Sequence, residues 1–322
     1  MPEQSGIYFF EGGRNMLLKV LGSAAGGGFP QWNCGCPNCR RVRMQDPSLR
    51  ARLHNSLAVS DDGSDWVLIN ATPDIGAQIE AHAELAPGSS IRHSPISTVL
   101  LTDGELDHTM GLLHLRESSA IDVYATAPIL DALMKAFPVR QILEPYASYR
   151  WHEVRPQESF PLFGGRVMVY PFFLGSKPPR YASVLRNPHT DGAPTSPWVV
   201  GYRMVDQRTG GTAVYAPGVE SWSNELHTQL EAADCVLVDG TFWHLDELRR
   251  LDISGLVASD MGHVPIAGPG GSLKHLSRIS AGRKIYIHIN NTNPILDEAS
   301  AENRSLRELG IEVGYDGLEL EV

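Results

Sequence analysis

Three short apolar runs in this chain each stop on residues able to hold a metal ion, and this pattern limits the fold more than any other feature. Thr98–Leu101 leads into Asp103, Glu105, Asp107 and His108, Val236-Leu-Val stops at Asp239, and Lys284-Ile-Tyr-Ile stops at His288. Runs of this length rich in Val and Ile read as buried strands, and polar residues delivered at several strand ends assemble a site along one rim of a sheet. If the chain stays extended after Leu101, alternation puts residues 103, 105 and 107 on one side, and His108 can turn back to the same point. One His with carboxylates suits a divalent iron, zinc or manganese ion. Each residue taken alone is equally well a turn or a cap, with Asp107 capping the helix-like Met110–Ser118.

Further strand signals lie at Leu17–Leu21, Leu57–Val59, Trp66–Asn70, Asp122–Tyr124, Val167–Tyr170, Val199–Met204 and Thr212–Tyr215. Helical periodicity marks Pro73–Leu85, Met110–Ser118, Pro128–Ala136, Ser223–Ala232, Ser272–Ala281 and Glu298–Leu309. Val199–Met204 and Thr212–Tyr215 follow one another across the turn Gln207–Gly211, so the class is α/β with mixed sheets rather than a doubly wound parallel sheet. No composition break divides residues 16–322, which read as a single domain after a disordered extension, residues 1–15. Gly175–Pro197, dense in Pro, Gly, Asn and Ser, reads as a long surface loop.

A chain of 322 residues, 42% hydrophobic, can bury a large core. Its net charge of −10 argues against a broad electrostatic grip on nucleic acid or anionic lipid and leaves a small or peptidic partner. No apolar run approaches the roughly 18 residues of a membrane span. Met1–Asn15 lacks the basic-then-apolar order of a secretory signal, so the expected location is cytoplasmic.

Cys34, Cys36 and Cys39 are too close in sequence for a disulfide framework but can turn three thiolates towards one point, the geometry of a structural zinc knuckle. Cys235 stands alone in an apolar run. The Gly-rich segment Gly22–Gly28 lacks the Lys-Ser/Thr ending of a phosphate loop and reads as close backbone packing beside the cleft.

Asp103-Gly-Glu105-Leu-Asp107-His108 resembles the His-x-His-x-Asp-His motif of the metallo-β-lactamase superfamily, with the framing strand and closing Asp-His retained and the first two histidines replaced. The resemblance implies a four-layer αββα sandwich. In that superfamily the two replaced histidines help build one metal position, while the Asp-His pair and the last histidine help build the other. A mononuclear site from Asp107, His108 and His288 is therefore the simplest reading, and two histidines with one carboxylate is the ligand set of non-haem Fe(II) oxygenases. Val20–Cys34, Asp103–Leu113, Asp239–Trp243, Asp260–His263 and His288–Pro294 together are similar to the family of B proteins of pyrroloquinoline quinone (PQQ) biosynthesis, across essentially everything after residue 15.

That resemblance implies hydroxylation of the tyrosine in a Glu-Tyr-containing peptide, with Fe(II) and O2, zinc as a metal loaded in vitro, and other PQQ biosynthesis proteins as partners. Asp239 would bridge to the metal or orient a ligand, and Asp103 and Glu105 would act as bases or bind the peptide's amine. By position Asn291 replaces the histidine that completes a related Cys knuckle, with His263, Asp260 or a water as other fourth ligands. His189 and His263 are additional candidates, whereas His54, His114, His152, His227, His244 and His275 fall in no constellation. The competing functions are a metal-dependent hydrolase or phosphodiesterase and a non-catalytic carrier involved in release or transport of PQQ.

Overall fold

The computed structural model describes residues 15–88, 91–118, 120–185 and 197–322; His189 and the expected N-terminal extension, Asn15 excepted, lie outside them. Strands β1 (Leu17–Gly22), β2 (Ser56–Ser60), β3 (Trp66–Ile69), β4 (Ile96–Leu100), β5 (Ala120–Thr126) and β6 (Ser148–Val154) make one sheet with the last strand, β14 (Glu319–Glu321), at its far edge beside β1. A second sheet runs from β7 (Phe160–Leu162) through β8 (Val167–Gly175), β9 (Val199–Asp206), β10 (Thr212–Ala216), β11 (Cys235–Asp239) and β12 (Arg283–Ile287) to β13 (Glu312–Val313). Each sheet joins an antiparallel half to a parallel half. The parallel halves are β3-β4-β5-β6 and β10-β11-β12-β13.

Alternation along the strands builds the layers. In β11, Cys235 and Leu237 enter the core between the sheets, while Val236 and Val238 face Leu226, Leu230 and Leu276 of the covering helices. In β4, Leu100 enters the core between the sheets and Val99 lies under Ile129 and Leu133. Each such side chain, fully buried, contributes about 1.5–3 kcal/mol. The result is the four-layer αββα sandwich that the resemblance implies.

The helix expected at Met110–Ser118 is a 3-10 segment, Met110–Glu117, entered through one α-turn, Leu106–Thr109. The helix expected at Ser272–Ala281 stops at Leu276. Within Gly175–Pro197 a 3-10 segment spans Arg180–Leu185. The parallel strands β4, β11 and β12 all point their C-terminal ends at one rim, where the polar residues follow.

Candidate metal centre

After β4 the chain does not stay extended. Asn70, in a left-handed conformation (φ 69°), accepts from Thr102 N at 3.0 Å, and Asp103 accepts from Thr102 Oγ1 at 2.8 Å and Glu105 N at 2.9 Å. These bonds turn the chain into the helical turn Leu106–Thr109, so the alternation expected for residues 103, 105 and 107 does not hold. All three nonetheless line the cleft, Asp103 buried, Glu105 exposed at its mouth and Asp107 half-buried.

His108 Nδ1 lies 2.8 Å and 2.9 Å from the two oxygens of Asp103. An ionised carboxylate only accepts, so Nδ1 carries a proton and Nε2 is the nitrogen left to take either a second proton or a metal ion. That Nε2 is buried, without a hydrogen-bond partner among the described residues, 3.6 Å from Asp107 Oδ2. Ligand atoms of Asp107, His108 and His288 all lie within 4.8 Å of one another.

His288, one residue past β12, has φ 55°, a strained conformation for a residue with a side chain. Its Nδ1 is 2.8 Å from Thr241 Oγ1, which is 2.6 Å from Asp239 Oδ1. The charged oxygen takes the hydroxyl proton, so His288 Nδ1 donates to Thr241 and its Nε2 is left for the cleft. Asp239 also accepts from Thr241 N at 2.9 Å, Val219 N at 2.8 Å and His263 Nδ1 at 2.7 Å.

The electrostatics favour a cation. Burial alone would lower the pKa of His108, but the charges of Asp103 and Asp107 outweigh it and push it up to about 9. Burial likewise works against ionising Asp107, yet His108 and His288 hold it below the usual carboxylate range. A field that retains a proton on His108 equally suits a metal ion in the proton's place. At the mouth, desolvation and then the charges of Asp103 and Asp107 push Glu105 up to about 7.

A second group, Asp239, His263 and His288, is equally compact. Its closeness has another cause, since hydrogen bonds among Asp239, Thr241 and the two imidazoles already join it. The first group leaves the buried His108 Nε2 unpaired, at a cost of about 1–3 kcal/mol unless a ligand fills it. The donor set Asp107, His108 and His288 therefore fits one divalent ion. Asp103, expected to act as a base or bind the peptide's amine, has its oxygens committed to His108, Thr102 and Glu105 N. Asp239, expected to bridge to the metal or orient a ligand, has its oxygens on Val219 N, Thr241 and His263, an arrangement suited to the orienting role.

The Gly-rich segment packs against this centre. A Cβ at Gly26 would stand 3.3 Å from Asp107 Oδ2. Beyond it, Cys36 caps the helix Pro37–Arg43, accepting from Cys39 N at 3.5 Å, and the sulfurs of Cys34, Cys36 and Cys39 cluster with no disulfide. Asn291 Nδ2 lies 3.1, 3.6 and 3.4 Å from these three sulfurs and donates towards them, so as a fourth zinc ligand Asn291 would have to turn its amide and present Oδ1 instead. The alternatives His263 and Asp260 are engaged elsewhere, on Asp239 and on Val257 N.

The cleft encloses about 490 Å³ and is also lined by Lys177, Arg180, Tyr181 and Phe242. Thr241 is absent from the candidates above, although Asp-Gly-Thr directly after an apolar strand is a usable signal. Nothing local marks Lys177 or Arg180.

Residues 65–289 match the Beta-lactamase superfamily domain. Coenzyme PQQ synthesis protein B of Methylococcus capsulatus is 43% identical over 308 residues, 95% of this chain and 99% of the relative. The protein of that name from Cupriavidus necator is 45% identical over 94% of this chain and 98% of its own length. The chain belongs to the coenzyme PQQ synthesis protein B family. A solved structure of this family, Zn(2+)-bound PqqB from Methylobacterium extorquens, is 36% identical, with a TM-score of 0.86 over 95% of this chain and 100% of that one. Outside the family, a diphosphatase of the PhnP family, 21% identical over 96% of this chain and 97% of its own, shares the fold at a TM-score of 0.65.

Proposed function

We propose that this chain, through its family a PQQ biosynthesis protein, performs an iron- and O2-dependent hydroxylation of the tyrosine ring in a Glu-Tyr-containing precursor. The observation that carries this reading is the buried, unpartnered His108 Nε2 beside Asp107 and His288, two histidines and one carboxylate in a cleft with room for a substrate. Fe(II) held there would supply O2 activation. Asp103 and the Thr241–Asp239 pair keep the two imidazoles turned with Nε2 inwards. Phe242 and Tyr181 offer apolar surface for the ring. Glu105 is the acidic group free to meet the phenol or the peptide's amine. The balance is one aromatic C–H, O2, two electrons and two protons giving one C–OH and water, so an external reductant is required.

The test is anaerobic loading with Fe(II), then O2, ascorbate and glutamyl-tyrosine, read by product mass. A gain of one oxygen atom drawn from 18O2 supports the reading, and unchanged dipeptide overturns it. The grouping of Asp239, His263 and His288 favours, as a second reading, a two-metal hydrolase. Two cleft metals per chain with phosphodiester turnover would establish that reading instead.

A further inference from the structure

We propose that Lys177 and Arg180 form a binding site for a carboxylate of the substrate, so that the cleft selects acidic amino-acid or peptide substrates by their anionic group. This rests on the reading of the cleft as a peptide site and adds how the peptide is recognised.

Lys177 lies two residues past β8, and its placement is built rather than incidental. Gly262 is left-handed (φ 83°), and a Cβ there would stand 3.2 Å from Lys177 Cδ, so the lysine stem lies across a position that has no side chain. Its Nζ donates to Asp260 O at 2.6 Å. An ammonium has three N–H donors, so this bond anchors the group and leaves two for a ligand. Arg180 lines the same cleft with its five guanidinium donors. Among the described residues neither cation has a carboxylate within salt-bridge distance. Desolvation lowers the pKa of Lys177, Glu105 works against that shift and Arg180 adds to it, so the two cations are near enough to feel one another. Lys177 and Arg180 thus bring unused N–H donors to a cleft whose other charged lining residues, Asp103, Glu105, Asp107 and Glu220, are acidic, so they are the groups there able to receive an anion.

The surroundings favour a carboxylate over a phosphate. Glu105 and Glu220, the latter with one oxygen taken by Ser176 N at 2.7 Å, border the same cleft and disfavour a dianion, whereas a monoanion can take the two cations and leave Glu105 to ionise beside an ammonium. That is the charge pattern of an amino-acid headgroup. Lys177 is close enough to act on Glu105 and His263, which line the cleft together with the metal-binding group, so a headgroup held here leaves the rest of a small peptide within the cleft.

The experiment is anaerobic calorimetry on the metal-loaded full chain, with Lys177→Met, Arg180→Met and the double variant, each shown to be folded by circular dichroism. The probes are glutamyl-tyrosine, its counterpart with both carboxyl groups amidated, and inorganic phosphate. Each single variant is expected to bind glutamyl-tyrosine about tenfold more weakly, and the double variant more weakly still. The diamide should bind the parent and the double variant alike. Undiminished affinity in the double variant, equal binding of acid and diamide by the parent, or absence of saturable glutamyl-tyrosine binding each overturns the proposal. Cation-dependent binding of phosphate in preference to the dipeptide overturns the carboxylate assignment. Cation-dependent dipeptide binding without oxygen incorporation would remove the hydroxylase reading and leave this one standing.

Discussion

Thr241 Oγ1 stands 2.8 Å from His288 Nδ1 and 2.6 Å from Asp239 Oδ1, so one hydroxyl decides which ring nitrogen of His288 faces the cleft. Thr241→Val keeps the volume and removes that control. Cleft metal affinity is expected to fall about 10- to 100-fold, while Thr241→Ser stays near the parent. Metal titration gives the affinity, and ring 15N shifts of His288 report the tautomer. Equal affinity in the valine variant would leave Thr241 a packing residue only.

Gly26 comes close to Asp107 because it has no side chain. Gly26→Ala puts a methyl group 3.3 Å from Asp107 Oδ2, which forces the carboxylate aside. Cleft metal affinity should drop several-fold, with stability changed by less than about 1 kcal/mol. Parallel metal titration and urea unfolding separate the two effects; a large stability loss with intact affinity would contradict this account.

Glu247 supplies a pH prediction away from the cleft ligands. It is buried, accepts from Trp243 N at 2.7 Å and from Thr292 Oγ1, and desolvation pushes its pKa up to about 7 from the usual 4.5. The folded state keeps a proton that the unfolded chain releases near pH 4.5. Stability contributed by this group is therefore present below pH 4.5, declines as pH rises, and is lost above about 7, a difference on the order of 3 kcal/mol. Glu247→Gln should flatten that dependence and gain on the parent between pH 5 and 8. Urea midpoints across this range check it, and parallel curves for the two proteins would refute it.

For the knuckle, Cys36→Ser removes one sulfur and the cap of the helix Pro37–Arg43. Zinc content is expected to fall by about one equivalent per chain, and the thermal midpoint by several degrees. Unchanged zinc and melting would show that the cluster is merely three reduced thiols.

Strands β11 and β12 are legible in the sequence because buried parallel strands are continuous apolar runs. Strand β6 is not, because Arg150, His152 and Glu153 interrupt it at a sheet edge, and β14 offers only Leu320 as an apolar signal. Asp107, His108 and His288 could be picked out because strand ends are local features. Their hydrogen-bond partners could not. The pairing of Asp103 with His108 depends on the turn at Leu106, and the placement of Lys177 depends on a glycine distant in sequence that no local pattern connects to it.

Asp107 and His108 follow the first sheet, and His288 follows the second. An ion shared among them would rivet the two halves of the sandwich across their seam. Separating the halves would then require giving up the ion, so metal supply would set resistance to unfolding as well as turnover.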